Sequence, residues 1–190
     1  LTLLVYKHGK KTLRMDLTVI AVIQAVFLSM GLYTMFQSRP VFLVATSKRF
    51  DMIFVNEIDP TRLSQAKIEK FKTLSFTKPL LVGAKFPTNK EEKTNIIMSA
   101  LSGAGDIQTM PEYFVEYQEL VPDILANSAP LQLSAVISEQ SLAVMQEAAQ
   151  HYGYQPSDVR YMNLGSARGF AVMLIDAKTG QVVGPVNLDL

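Results

Sequence analysis

The dominant pattern in the chain is a run of 20 residues without a charge, LTVIAVIQAVFLSMGLYTMF at positions 17–36. At about 1.5 Å per residue a helix of that length reaches roughly 30 Å, the thickness of a hydrocarbon core. Only a helix satisfies its own backbone there. The run therefore predicts a membrane-spanning helix over 17–36, with Tyr33 near one end where aromatic belts occur. A buried helix of a soluble domain is the alternative; a signal peptide fits worse, because the run is too long and lacks a small-residue cleavage site. Gln24 is its one strongly polar side chain near mid-membrane. An unsatisfied amide in hydrocarbon is costly, so Gln24 is expected to bond another helix, either a preceding span or a client's membrane helix.

After position 40 the patterning changes to that of a folded domain over 40–190. Positions 40–45 are apolar and β-rich, and 50–56 (FDMIFVN) predict a second strand. Asp59-Pro60 reads as an N-cap followed by proline at the first helical position, opening a helix to about Leu74. Positions 80–86 predict a short strand ended by Pro87. Thr88 with Glu91 forms a capping box for a helix through Leu101, which Gly103 and Gly105 terminate. Positions 110–126 are helical in pattern, with Tyr113, Tyr117, Leu120 and Ile124 on one stripe, and Pro122 is expected to kink or divide the helix. Ser138 caps a last helix to His151, with Leu142, Met145 and Ala149 inward. Three strands follow at 159–164, 169–175 and 181–188. Asp176 to Gly180 between the last two reads as a hairpin turn, and if Gly180 has positive φ a valine there costs about 1 kcal/mol or more. Strands at both ends around central helices predict an α+β domain with an antiparallel sheet and packed helices.

Charge sets the expected orientation. Lys7, Lys10, Lys11 and Arg14 crowd the segment 7–16 before the apolar run, opposed only by Asp16, whereas Arg39, Lys48 and Arg49 follow it sparsely. The positive-inside rule then makes 7–16 a basic cytoplasmic loop and sends the domain outward. Residues 1–6 (LTLLVY) read as the end of a truncated first membrane segment, with an ordered N-terminus as the alternative. From Val41 onward 13 Lys/Arg stand against 16 Asp/Glu, a net of −3, which gives no support for nucleic-acid binding. The absence of cysteine excludes disulfides, thiolate metal sites and a Cys nucleophile.

Candidate chemistry is sparse. His8 and His151 fall on opposite sides of the predicted membrane, so no metal site or His-dependent triad forms from them within one monomer. His151 is explained as a helix C-terminal residue favoured by the dipole. Gly103-Ala-Gly105 follows a helix where a phosphate-binding loop follows a strand, and Gln108 occupies the third glycine position. Glu91 and Glu92 suit a helix's first turn without acid–base work. Asp106, Glu112, Glu116 and Glu119 form either an acidic site after folding or a solvated helix face. No catalytic residue, cofactor site or metal site is assigned.

The stretch LTLLVYKHGKKTLRMDLTVIAVIQ, then Gly31 and Arg39-Pro40, resembles the type IV pilin accessory proteins of Gram-negative bacteria, the TfpX/TfpZ family, related to the FimB-like fimbrial assembly proteins. So do MPEYFVEY at 110–117 and the ending YMNLGSARGFAVMLIDAKTGQVVGPVNLDL, so that the likeness runs across nearly the whole chain. The basic loop with the following helix is its specific part. The resemblance implies a bacterial inner-membrane protein with a periplasmic C-terminal domain, a further span before this one, and a role beside a type IV pilin. Its implied partners are that pilin, the lipid bilayer and other pilus assembly proteins. It implies no catalytic residues.

Three functions fit these observations: a non-enzymatic, pilin-specific chaperone or assembly factor; a periplasmic ligand-binding or sensing domain; and a carboxylate-based pilin-modifying enzyme. An exposed apolar or sheet-edge surface favours the first. A deep polar pocket with convergent charges favours the others.

Overall fold

The computed structural model describes residues 13–133, 138–166 and 169–188. The chain divides into two compact units, one ending at Arg39 and one beginning at Pro40. In the first, helix α1 (Leu13–Gln37) covers the whole predicted span. It starts earlier than 17 because Leu13 to Asp16, assigned to the basic loop, form its first turn, where Asp16 meets the positive end of the helix dipole. The remainder of that loop and positions 1–6 lie outside the described residues. Apolar side chains all along α1, from Val19 and Val22 to Phe27, Met30 and Met35, are exposed. The helix is long and apolar enough to cross a membrane.

The second unit is an α+β domain built on one eight-stranded mixed sheet. Strands β1 (Pro40–Ala45) and β2 (Phe50–Phe54) form an antiparallel hairpin. Helix α2 (Pro60–Leu63) leads towards β3 (Leu80–Ala84), and helix α3 (Lys90–Leu101) follows. Then come β4 (Phe114–Val115), helix α4 (Val121–Asn127) and β5 (Ala129–Pro130). Helix α5 (Glu139–His151) precedes the meander β6 (Val159–Ser166), β7 (Gly169–Asp176) and β8 (Val182–Asn187). The order across the sheet is β4-β3-β1-β2-β6-β7-β8, with β5 paired to β6 off this path.

The sheet is not antiparallel throughout, as the sequence pattern suggested. β1 runs parallel to β3, and β2 runs parallel to β6 (Phe50 beside Leu164). A parallel pair needs a long crossover, and both seams are closed by long connections containing the helices. The alternation of burial along the strands then explains the core. Phe42 and Val44 of β1 join Ile53, Val82, Phe71, Ile96 and Phe114 on one face, while Leu43 and Ala45 join Phe50, Leu164, Met173 and Ile175 on the other. β1 is covered on both faces, which is why positions 41–45 form an unbroken apolar run. Tyr117, Leu120 and Ile124 cover the second face. Beyond β2, Val159, Tyr161, Val172 and Leu174 pack with Met145 and Ala149 of α5.

Several predicted boundaries shift. The helix expected from Asp59 to Leu74 survives only as α2 plus a 3-10 turn (Glu69–Phe71), although Asp59 caps it as expected, accepting from the Thr61 N–H at 2.8 Å. Asn89, not Thr88, caps α3, accepting from the N–H groups of Glu91 and Glu92. The strand expected over 80–86 ends at Ala84, and that over 50–56 ends at Phe54, where Val55–Glu57 form a 3-10 turn. The predicted helix over 110–126 is instead two 3-10 turns (Pro111–Tyr113 and Tyr117–Glu119) around β4, followed by α4. Of the two outcomes expected at Pro122 the dividing one holds: Pro122 sits in the first turn of α4, where its missing N–H costs nothing, and no helix is kinked there. Ser138 caps α5, accepting from the Ser141 N–H, and the 176–180 hairpin turn forms with Gly180 at φ +69°.

Candidate functional site

Within α1 the short hydroxyl side chains bond back to their own helix. Thr18, Ser29 and Thr34 each donate to the carbonyl four residues back, at 2.8–2.9 Å. Gln37 donates to the Tyr33 hydroxyl at 2.8 Å, and Arg39 donates to the Phe36 carbonyl with its guanidinium 3.8 Å from the Phe36 ring centroid. Gln24 differs. It is exposed halfway along the helix, and no described residue hydrogen-bonds its amide. A short hydroxyl can bond back to its own helix, whereas the longer amide carries two donors and an acceptor that this helix leaves open.

On the domain, the parallel pairing of β1 with β3 carries the chain out of the sheet at the same end after Ala45 and after Ala84. Crevices form at such carboxyl ends of strands. Here a groove of about 400 Å³ is lined by the turn residues Thr46 to Arg49, by Phe86, by Lys93 and Ile97 of α3, and by Asp106 to Gln108. Thr46 shapes the turn: its N–H and hydroxyl both donate to the Arg49 carbonyl at 2.9 Å, and its hydroxyl oxygen accepts from the Arg49 N–H at 3.2 Å. Arg49 Nε donates to Asp51 Oδ2 at 2.9 Å, and its Nη2 reaches Asp106 Oδ2 at 3.4 Å. With the Gln108 amide nitrogen towards Asp106, it donates to that carboxylate at 3.0 Å while its oxygen accepts from Arg49 at 3.1 Å. Burial raises the Asp51 carboxyl above its ordinary value, against the lowering effect of Arg49.

A second, smaller pocket of about 200 Å³ is lined in part by Glu92, Asn95, Ile96 and Ser99 of α3. Arg62, Glu92, Glu112 and Tyr113 converge there. The Tyr113 hydroxyl donates to Glu92 Oε1 at 2.8 Å, and Arg62 Nη1 lies 3.4 Å from Glu112 Oε1. Glu112 Oε2 is buried and has no hydrogen-bond partner among the described residues. Desolvation first, then the bond to Glu92, pushes the Tyr113 hydroxyl up to about 12, so at neutral pH it is a donor and not a base. The pocket thus offers a bound group one tyrosine hydroxyl, one guanidinium and two carboxylates.

The four acids considered as one site are dispersed. Asp106 pairs with Arg49, Glu112 with Arg62, and Glu116 with Lys70 at 2.7 Å; Glu119 ends a 3-10 turn elsewhere. They share no helix, because positions 110–119 are not one. Gly103 and Gly105 end α3 with φ +76° and +120°; the Gly103 and Ala104 N–H groups bond back to Ala100 and Ser99, leaving neither for a phosphate. His151 sits exposed in the last turn of α5, and His8 lies outside the described residues. Asp176 is a turn residue, its oxygen accepting from the Lys178 and Thr179 N–H groups, which lowers its pKa. Among the described residues no three His, Cys, Asp or Glu side chains converge as a metal site.

The groove was not visible as a site in the sequence, where Lys48 and Arg49 counted only as sparse charges after the helix. The available signal was the polar TSKR linker between two apolar strands. Comparisons with known protein families, with characterised proteins and with solved structures give no match to this chain.

Proposed function

We propose that the chain is a membrane-bound, non-enzymatic accessory factor in type IV pilus biogenesis, a pilin-specific chaperone or assembly factor that acts by binding pilin. In this reading α1 lies in the inner membrane and the domain from Pro40 onward is periplasmic. The observation that carries it is the α1 surface: apolar, with its short hydroxyls bonded back to the helix, and interrupted at mid-length by the single open amide of Gln24. Such a helix is suited to side-by-side association with another membrane helix. A pilin before assembly is itself held by one apolar helix. The exposed apolar residues Ile97, Met98 and Leu101 on α3 supply a second contact surface on the domain.

Deleting the gene is expected to lower surface pili or pilin level while leaving the secretion machinery intact. Normal piliation with every pilin tested removes the reading. Gln24→Leu is expected to weaken capture of full-length pilin roughly three- to tenfold, the worth of one interhelical amide bond, while capture of a soluble pilin head stays unchanged. Equal capture of full-length pilin by both forms assigns Gln24 to a contact within its own protein.

The Arg62–Glu92–Glu112–Tyr113 pocket favours a second reading, a ligand-binding or sensing domain. Its buried, unpartnered Glu112 oxygen is the specific observation behind it. The pocket is small and open, so the protein-binding reading ranks first.

A further inference from the structure

The domain from Val41 onward is acidic, at 13 Lys/Arg to 16 Asp/Glu, yet the groove beside the Thr46–Arg49 turn has the opposite sign. Its lining carries Lys48, Arg49 and Lys93 against Asp106 alone. Arg49 is consumed by Asp51 and Asp106, a network that Gln108 closes. Lys48 and Lys93 then remain, and no carboxylate among the described residues lies within ion-pair distance of either. The ammonium of Lys93 stands 5.6 Å over the Phe86 ring, and Phe86 and Ile97 are 39% and 44% exposed. Met98 and Leu101 continue the apolar strip along α3, one helical turn deep. Two ammonium groups that no carboxylate among the described residues pairs, beside an apolar wall, suit an anion carried on an apolar stem. The groove is concave and, at about 400 Å³, takes one or two side chains, which a flat bilayer surface cannot insert.

We propose that this groove docks an acidic–apolar peptide segment of a partner protein, with a Glu or Asp carboxylate received by Lys48 and Lys93 and a neighbouring aliphatic side chain on Phe86 and Ile97. The inference rests on the protein-binding reading above and names the chemistry of the partner's contact segment. Charge complementarity of this kind governs choice of partner and rate of encounter.

The test uses the full chain in nanodiscs of neutral lipid and a fluorescein-labelled hexapeptide of alternating leucine and glutamate. The control peptide carries glutamine in place of glutamate. The glutamate peptide is expected to bind about tenfold tighter or more, a difference worth about 1.4 kcal/mol, and added salt narrows the gap. Lys48→Glu with Lys93→Glu reverses that preference, and the milder pair Lys48→Gln with Lys93→Gln abolishes it. Lys67→Glu, an exposed lysine outside the groove lining, leaves it intact. Ile97→Ser weakens both peptides. An unchanged melting temperature in each variant excludes misfolding as the cause. Equal binding of the two peptides, or a preference that survives both lysine pairs, overturns the proposal. So does loss of peptide binding in favour of phosphatidylglycerol vesicles held by the same lysines. A dimer that dissociates on Lys48→Glu also overturns it, by making a second copy the occupant. Pilin level in the deletion strain is indifferent to these outcomes, so the function and the groove can fail separately.

Discussion

Phe114→Ala is expected to cost the domain about 4 kcal/mol, the largest effect of any single substitution argued from this structure. Phe114 is fully buried and meets Phe42 edge-on at 5.2 Å and Phe71 at 6.3 Å between ring centroids. Truncation removes the transfer free energy of one ring and leaves a cavity bordered by Phe42 of β1 and Phe71 of the Glu69–Phe71 turn, so neither element can close it alone. The loss would consume a large part of the total stability of an ordinary domain. Phe114 also tethers the turn that presents Glu112 and Tyr113, so the Tyr113–Glu92 bond is expected to loosen with it. Urea denaturation of the full chain in micelles, followed by near-ultraviolet circular dichroism, reads the loss. Leu101→Ala, at a side chain 77% exposed, should stay within about 0.5 kcal/mol. Equal values for the two variants would contradict the assigned core.

Gly180→Val is expected to cost about 3 kcal/mol, from two separate causes. At φ +69° a β-branched residue is strained, and a Cβ there would lie 2.5 Å from Val121 Cγ1. The Gly180 carbonyl also accepts the buried Tyr117 hydroxyl at 2.6 Å, so displacement of the turn orphans that donor. Gly103→Ala separates the causes: its φ is +76°, but nothing lies within 4 Å of its Cβ, so only the backbone term, about 1 kcal/mol, remains. Combining Gly180→Ala with Val121→Ala should recover the steric part but not the strain, which a double-mutant cycle on urea midpoints resolves. Additive costs would show that the two residues do not press on each other.

Local chemistry was the legible part of this fold. Asp59, Ser138 and the Asp176–Gly180 turn act where their hydrogen-bonding capacity predicted, because caps and turns are decided by a few neighbouring residues. The 110–126 segment shows the limit of periodicity. Tyr117, Leu120 and Ile124 are buried together as their spacing predicted, whereas Tyr113, expected on the same stripe, packs against the other core cluster; a 3-10 turn and a short helix produce the same three-to-four spacing as one long helix. Strand direction left no trace in the pattern at all. Alternation reports which face is buried, not which way a neighbour runs, so an antiparallel sheet was inferred where β1–β3 and β2–β6 are parallel. The groove disappeared with that inference. Its lining draws on positions 46–49, 86, 93–97 and 106–108, and only the parallel β1–β3 seam carries the first two of those segments out at one end of the sheet. Gln24 stood out in the sequence because one amide in an uncharged run is conspicuous without any tertiary information.

The β2–β6 seam has a consequence for the order in which the domain can form. Synthesis delivers β1, β2 and β3 first, and these can pair among themselves, but the free side of β2 closes only when Phe50 meets Leu164 near the far end of the chain. Contacts so distant in sequence carry a high loop-closure cost and form slowly. Throughout that interval a growing chain already committed at its N-terminus displays an unpaired strand edge. Premature pairing with other extended segments is therefore most dangerous before the three-stranded meander β6 to β8 emerges.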